Sequence, residues 1–132
     1  MAYARCGHAH VVTVHGSGNP TDTEWQSYLQ DLDRWLPELV GFLVVTSGPG
    51  PTSRQRSQSN TIQAQHRIRT VRVAVVSDSL LARGIVNAFN LFNPGIRTFR
   101  PTAMQDALVH IGAALHGPIM IAEVERLRER VR

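Results

Sequence analysis

Lysine is missing altogether from this 132-residue chain, so all 14 basic residues are arginine. Cysteine is nearly missing too: Cys6 stands alone. That excludes an intrachain disulfide and a multi-cysteine zinc site, and it suits a reducing compartment. No stretch approaches the roughly 20 apolar residues that a membrane span requires. The strongest apolar runs, at residues 41–45 and 71–76, have only strand length. The first six residues lack the apolar core of a signal peptide, so cytoplasm is the expected location. Acidic residues are scarce in the middle of the chain, where Asp78 is the only one between positions 39 and 105. Paired-carboxylate catalysis would have no partners there. No His-x-x-x-His, Cys-x-x-Cys or Gly-x-Ser-x-Gly pattern occurs. The six histidines are read as scattered, and the expectation is no metal, no cofactor and no enzymatic activity.

The charge that is present is unevenly placed. Residues 1–50 carry a net −3, residues 51–100 a net +7, and the remainder balances. The middle segment therefore favours an anionic partner. Nucleic acid is disfavoured, because the aromatic residues cluster on apolar helix stripes and not among the arginines.

Alternation of strand and helix signals predicts a single α/β domain over 1–132. Its mainly parallel sheet has four to five strands flanked by helices, with a core at about 8–116 and an extra C-terminal helix at about 118–131. Residues 9–15 are rich in β-branched side chains and stop at Gly16-Ser17-Gly18-Asn19-Pro20. Thr21 or Asp22 offers an N-cap. Trp25, Tyr28, Leu29, Leu32, Trp35 and Leu36 then recur at helical spacing until Pro37. Residues 41–46 form a continuous apolar run, as in a strand covered on both faces. After Ser47-Gly48-Pro49-Gly50-Pro51, a polar helix is expected over 52–67, anchored by Ile62, Ala64 and Ile68. Further strands fall at 71–76 and 96–99, separated by a helix whose stripe runs from Leu80 to Phe92. Thr102 is expected to cap a helix that turns Met104, Ala107, Leu108, Ile111 and Leu115 inward. Met120, Val124, Leu127 and Val131 form the seam of a last helix over 119–131, which packs on the parent sheet or on a second copy. An extra strand at residues 1–7 would pair with 9–15 around Gly7.

Functional groups in parallel sheets gather where strands end and helices begin. Ser77-Asp78-Ser79 lies at one such junction, where Ser or Asp caps a helix and the helix start stabilises an anion or a phosphorylated serine. At the other junction, Arg54 and Arg56 follow a Gly/Pro loop that is not a phosphate loop, having neither the lysine nor the spacing. Trp25 and Trp35 are read as core or groove residues. Between the first helix and the sheet, they mark a candidate ligand cleft.

The order of these pieces resembles the STAS-like superfamily, domains akin to anti-sigma-factor antagonists, and in particular a bacterial subgroup of single-domain proteins. The pieces are Gly50-Pro51-Thr52 with Gln55-Arg56, the run Arg72–Ser79, Arg83-Gly84-Ile85-Val86, and Ile96-Arg97-Thr98-Phe99 followed by Asp106-Ala107-Leu108. They span about residues 8–116. The resemblance implies a mainly parallel sheet flanked by helices. It also implies a non-catalytic interaction module switched by phosphate on Ser79, or failing that Ser77, with a kinase or anti-sigma-like regulator as partner. Arg54, Arg56 and Arg83 would supply the basic surface beside that switch. The chain departs from the family pattern after Ser79, where the bulky Leu80-Leu81 replaces small residues and glycine. Other relatives bind lipids or small anions in a cleft. The alternative is therefore a small-ligand or lipid carrier, and a homodimer through the last helix is the further expected association.

Overall fold

The computed structural model describes residues 1–66, 71–79 and 95–131. The helix expected over residues 80–92, Ile68 and Arg83 lie outside them. Five strands form one sheet in the order β1 (Ala2–Cys6), β2 (His10–His15), β3 (Gly41–Thr46), β4 (Arg72–Val76) and β5 (Ile96–Phe99). β1 runs antiparallel to β2 through a turn at Gly7, whose φ of 62° suits a residue without Cβ. The strands β2 to β5 are all parallel. The domain is thus α/β, as the alternating pattern predicts, and residues 1–7 do supply the extra strand.

Strand order explains the layering. When successive parallel strands sit side by side, right-handed crossovers place every connecting helix on one face. Helix α1 (Asp22–Trp35) and helix α2 (Ser53–Gln65) both lie on that face. There Trp25, Tyr28, Leu29 and Leu32 of α1 pack over Val11 and Phe42, with Ile62 of α2 against the same cluster. The opposite face is covered by α3 (Met104–His110) and α4 (Gly117–Val131). Ala107, Leu108, Ile111, Met120, Val124 and Leu127, in these helices and the turn between them, close over Val12, Val14, Leu43, Val45, Ala74 and Val76.

Each helix start follows from its sequence. Thr21 caps α1 and forms a reciprocal capping box with Glu24, and Thr52 does the same for α2 with Gln55. Helix α1 stops at Trp35 and yields to a 3-10 turn containing Pro37. The last two helices depart from expectation. Thr102 makes no cap: it lies in a 3-10 turn before α3, which has no side-chain cap. Helix α3 ends at His110, because Ile111 and Gly112 (φ 73°) turn the chain. Leu115, placed inward by periodicity alone, is 94% exposed. Once the helix stops, the 3.6-residue period no longer says where a side chain points. In α4, Gly117-Pro118 begins the helix, since proline is tolerated in the first turn. Its seam packs against β1 and β2 of the same chain, with Met120, Val124 and Leu127 buried, so the homodimer loses the apolar surface from which it was argued.

Candidate functional site

The face beneath α1 and α2 is layered by strand register. One row, Val11, Phe42, Val73 and Ile96, is apolar. The next row toward the C-terminal edge is Thr13, Val44, Val75 and Thr98. Beyond it stand His15 and Thr46, paired across β2 and β3. The face therefore changes from apolar to polar as the strands approach their C-terminal ends, where parallel sheets place their ligands. A cavity of about 190 Å³ opens at this transition. Val44, Val73 and Val75 contribute to its floor, Trp25 and Tyr28 of α1 line it, and Arg56, Ser59, Asn60 and Gln63 of α2 complete the described wall.

Two loops hold the C-terminal edge in shape. A Cβ on Gly48 would come within 2.5 Å of Ser17 O, so only glycine allows the loops after β2 and β3 to touch. Asn19 Nδ2 donates to Gly50 O at 2.7 Å, and Thr46 Oγ1 both accepts from Gly48 N and donates to Gly48 O. Gln55 is buried at the start of α2: its Nε2 donates to Pro20 O at 2.9 Å and its Oε1 accepts from Thr52 N. Trp25 Nε1 donates to Gln55 O at 3.0 Å. Together these bonds join α1, α2 and both loops around the mouth.

Two polar side chains on the cavity wall are buried with an atom left unbonded. Thr13 is 2% exposed and His15 4% exposed, and among the described residues neither Thr13 Oγ1 nor His15 Nδ1 has a hydrogen-bond partner. Buried polar atoms in native proteins are almost always paired, and leaving one unpaired costs about 1–3 kcal/mol. Burial, reinforced by the nearby N-terminal amine and opposed by Glu24, lowers the His15 pKa to about 4. His15 is therefore neutral near pH 7. Glu24 itself is held at about 2 by its hydrogen bond from the N-terminal amine, at 2.7 Å, and by the Thr21 backbone N–H.

The candidate residues divide among several places. Trp25 and Arg56 meet at the cavity, and Arg56 Nη1 donates to Pro51 O at 2.7 Å. Trp35 is not on its wall. Ten residues on along α1, it lies about 15 Å from Trp25 along the helix axis. It packs edge-on to Tyr3, with the Arg5 guanidinium 5.8 Å from its ring centre. The cleft thus uses one tryptophan of the expected pair. Arg54 is exposed and does not line the cavity. Ser77 is 1% exposed, and its Oγ accepts from Ser79 N at 3.1 Å, while Asp78 is exposed and Ser79 half-buried. Burial removes Ser77 as an accessible phosphate acceptor. Among the described residues, no group of three His, Cys, Asp or Glu side chains is placed to hold a metal, and no helix is long and apolar enough to cross a membrane.

Sequence reasoning missed Thr13, His15 and Gln55. Part of the signal was present for two of them: Thr13 and His15 alternate with valines along one strand, which places both polar side chains on the same face. Comparison of the chain with protein-family models, curated proteins and solved structures finds no match.

Proposed function

We propose that this chain is a non-catalytic small-ligand-binding domain whose site is the cavity between α1, α2 and the C-terminal ends of β2 to β4. The observation that carries the reading is the pair of buried, unpartnered atoms, Thr13 Oγ1 and His15 Nδ1, on the wall of a largely apolar pocket. A few polar atoms set in an apolar concavity is the usual composition of a ligand site. Among the described residues no hydroxyl or thiol is bonded to His15 Nδ1, which favours binding over nucleophilic catalysis. Size narrows the occupant. A dry cavity of about 150 Å³ accommodates benzene, whereas drug-sized ligands occupy about 300 Å³ or more. A volume near 190 Å³ suits a molecule of about one ring and supports a lipid carrier less well.

The STAS-like resemblance is compatible with this reading, since the runs at 41–46 and 72–76 are hydrogen-bonded neighbours pointing the same way. Within that family reading, the phosphate-switched interaction module would act through Ser79, and it draws less support because Ser77 is buried. The test is heteronuclear NMR of the full chain with a mixture of one-ring fragments. Shifts should concentrate on the Trp25 indole N–H and on Thr13, Val44 and Val75, and Val44→Trp, which fills the space, should abolish them. Uptake elsewhere, or shifts that persist in the filled variant, would sink the proposal.

A further inference from the structure

Resting on that reading, we infer that the cavity selects an anion: a compact aromatic or alicyclic carboxylate whose ring lies on the valine floor and whose carboxylate is met by Thr13, His15 and Arg56. The argument starts from which groups line the site and what each can offer. Arg56 is the only lining residue among those described that carries a permanent charge, and no described lining residue is an Asp or Glu. Arginine keeps its proton at any accessible pH, so Arg56 brings a fixed positive charge to the wall although its Nη1 already donates to Pro51 O. The Thr13 hydroxyl can donate from Oγ1, and a neutral His15 can donate from Nδ1 when its proton sits there. Thr46 adds little, because its hydroxyl hydrogen is spent on Gly48 O. The polar side of the cavity is thus rich in donors and positive in sign.

The surroundings agree with that sign. Residues 51–100 have a net charge of +7, which favours anionic over cationic partners for the chain as a whole, and Arg56 is the described arginine of that segment that lines the cavity. The acid that acts on His15 is Glu24, which is tied to the N-terminal amine and to Thr21 and is not part of the cavity wall. A cationic ligand would be repelled by the Arg56 guanidinium. A neutral ligand would gain the apolar contact and hydrogen bonds from the wall but not the pairing of opposite charges with Arg56. The volume of about 190 Å³ limits the body of the ligand to about one ring with its substituent.

The experiment uses three probes of nearly equal shape: benzoate, benzyl alcohol and benzylammonium. Each is titrated into the full chain carrying Trp35→Phe, so that Trp25 is the sole indole reporter, at pH 7.5 and constant salt. Benzoate should bind about tenfold more tightly than benzyl alcohol, the scale of one charge-assisted hydrogen bond, and benzylammonium should bind weakest. Arg56→Gln should weaken benzoate by about tenfold and the alcohol much less, so that the preference between them disappears, and Arg56→Lys should keep most of the preference. Equal or tighter binding of the alcohol or the ammonium would overturn the anion assignment and leave the ligand-binding reading standing. A benzoate preference retained by Arg56→Gln would overturn it in the same way. If none of the three perturbs Trp25, the assignment and the cavity reading fall together. Should Arg56→Gln not fold, the order of the three probes on the Trp35→Phe chain still decides the matter.

Discussion

The two faces of one sheet are built by different rules. Beneath α3 and α4, the strand positions at the centre of the sheet are apolar, the one buried histidine described on that face, His10, is hydrogen-bonded to Ile111 O at 2.8 Å, and Leu43, Leu108, Ile111, Met120 and Leu127 are no more than 1% exposed. Beneath α1 and α2, the same strands present Thr13, His15 and Thr46 among valines, and a cavity remains. The first face is filled and contributes stability, at about 1.5–3 kcal/mol for each large apolar side chain buried. The second gives up some of that stability to keep polar atoms unpaired and space open. Unpaired buried atoms on this face, set against the satisfied opposite face, are the contrast on which the proposed ligand site rests.

Four experiments would break or sharpen this contrast. The largest effect is expected on the filled face, where Leu127→Ala should cost about 2–5 kcal/mol in urea unfolding. Val44→Ala, beside the existing cavity, should cost only about 1 kcal/mol. Comparable losses at the two sites would remove the distinction. Next comes acid. The folded-state pKa of His15 lies near 4, below its ordinary 6.5. The unfolded chain therefore binds the extra proton between those values. Stability from this group is intact above pH 6.5 and declines as pH falls toward 4, by about 3 kcal/mol in all. Glu24, with its pKa near 2, acts in a lower window, beneath about pH 4.5. His15→Gln should flatten the upper part of the stability–pH curve, and an unchanged slope between pH 6.5 and 4 would contradict the burial of a neutral imidazole.

The third concerns the rim of the cavity mouth. Gln55→Ala removes both the bond to Pro20 O and half of the capping box of α2, and should cost about 2 kcal/mol. It should also shift the Trp25 indole N–H resonance, because that donor bonds to Gln55 O. The smallest effect has the opposite sign. Thr13→Val replaces an unpartnered buried hydroxyl with a methyl of similar shape and should stabilise the chain by about 1 kcal/mol. A loss of stability there would mean that the hydroxyl is already satisfied and would remove one of the two supports of the proposed site.

Much of this architecture was legible before any coordinates. The β-branched and apolar runs at 9–15, 41–46, 71–76 and 96–99 each became a strand, and Thr21, one of the two caps the sequence offers, starts α1, whereas Thr52 caps α2 from just outside the helix expected to include it. These signals are local: each depends on residues within one or two turns. Trp25 was singled out with Trp35 for a cleft and Arg56 with Arg54 for a basic junction, and the structure brings one of each pair to the same cavity wall. Trp35 misled, because a helical stripe tells which face is apolar but not which end of the helix meets a cavity. Leu115 misled because the period was carried past the turn that ends its helix. Gln55 read as an ordinary polar residue, since nothing in its neighbourhood along the chain announces that it is buried.

Taken alone, the sequence determined the types and order of most of the described elements, the start of α1 and the positive charge of the central segment. All of these follow from backbone sterics, side-chain periodicity and simple counting over short spans. Only the tertiary structure decided that β2 and β3 align Thr13 with Val44 and His15 with Thr46, and that α2 brings Arg56 to the same cavity. It also decided that the seam of α4 folds onto its own sheet. Those outcomes depend on strand register and on packing between residues far apart in the chain, where a buried threonine is worth more or less than a valine according to whether a partner is within reach.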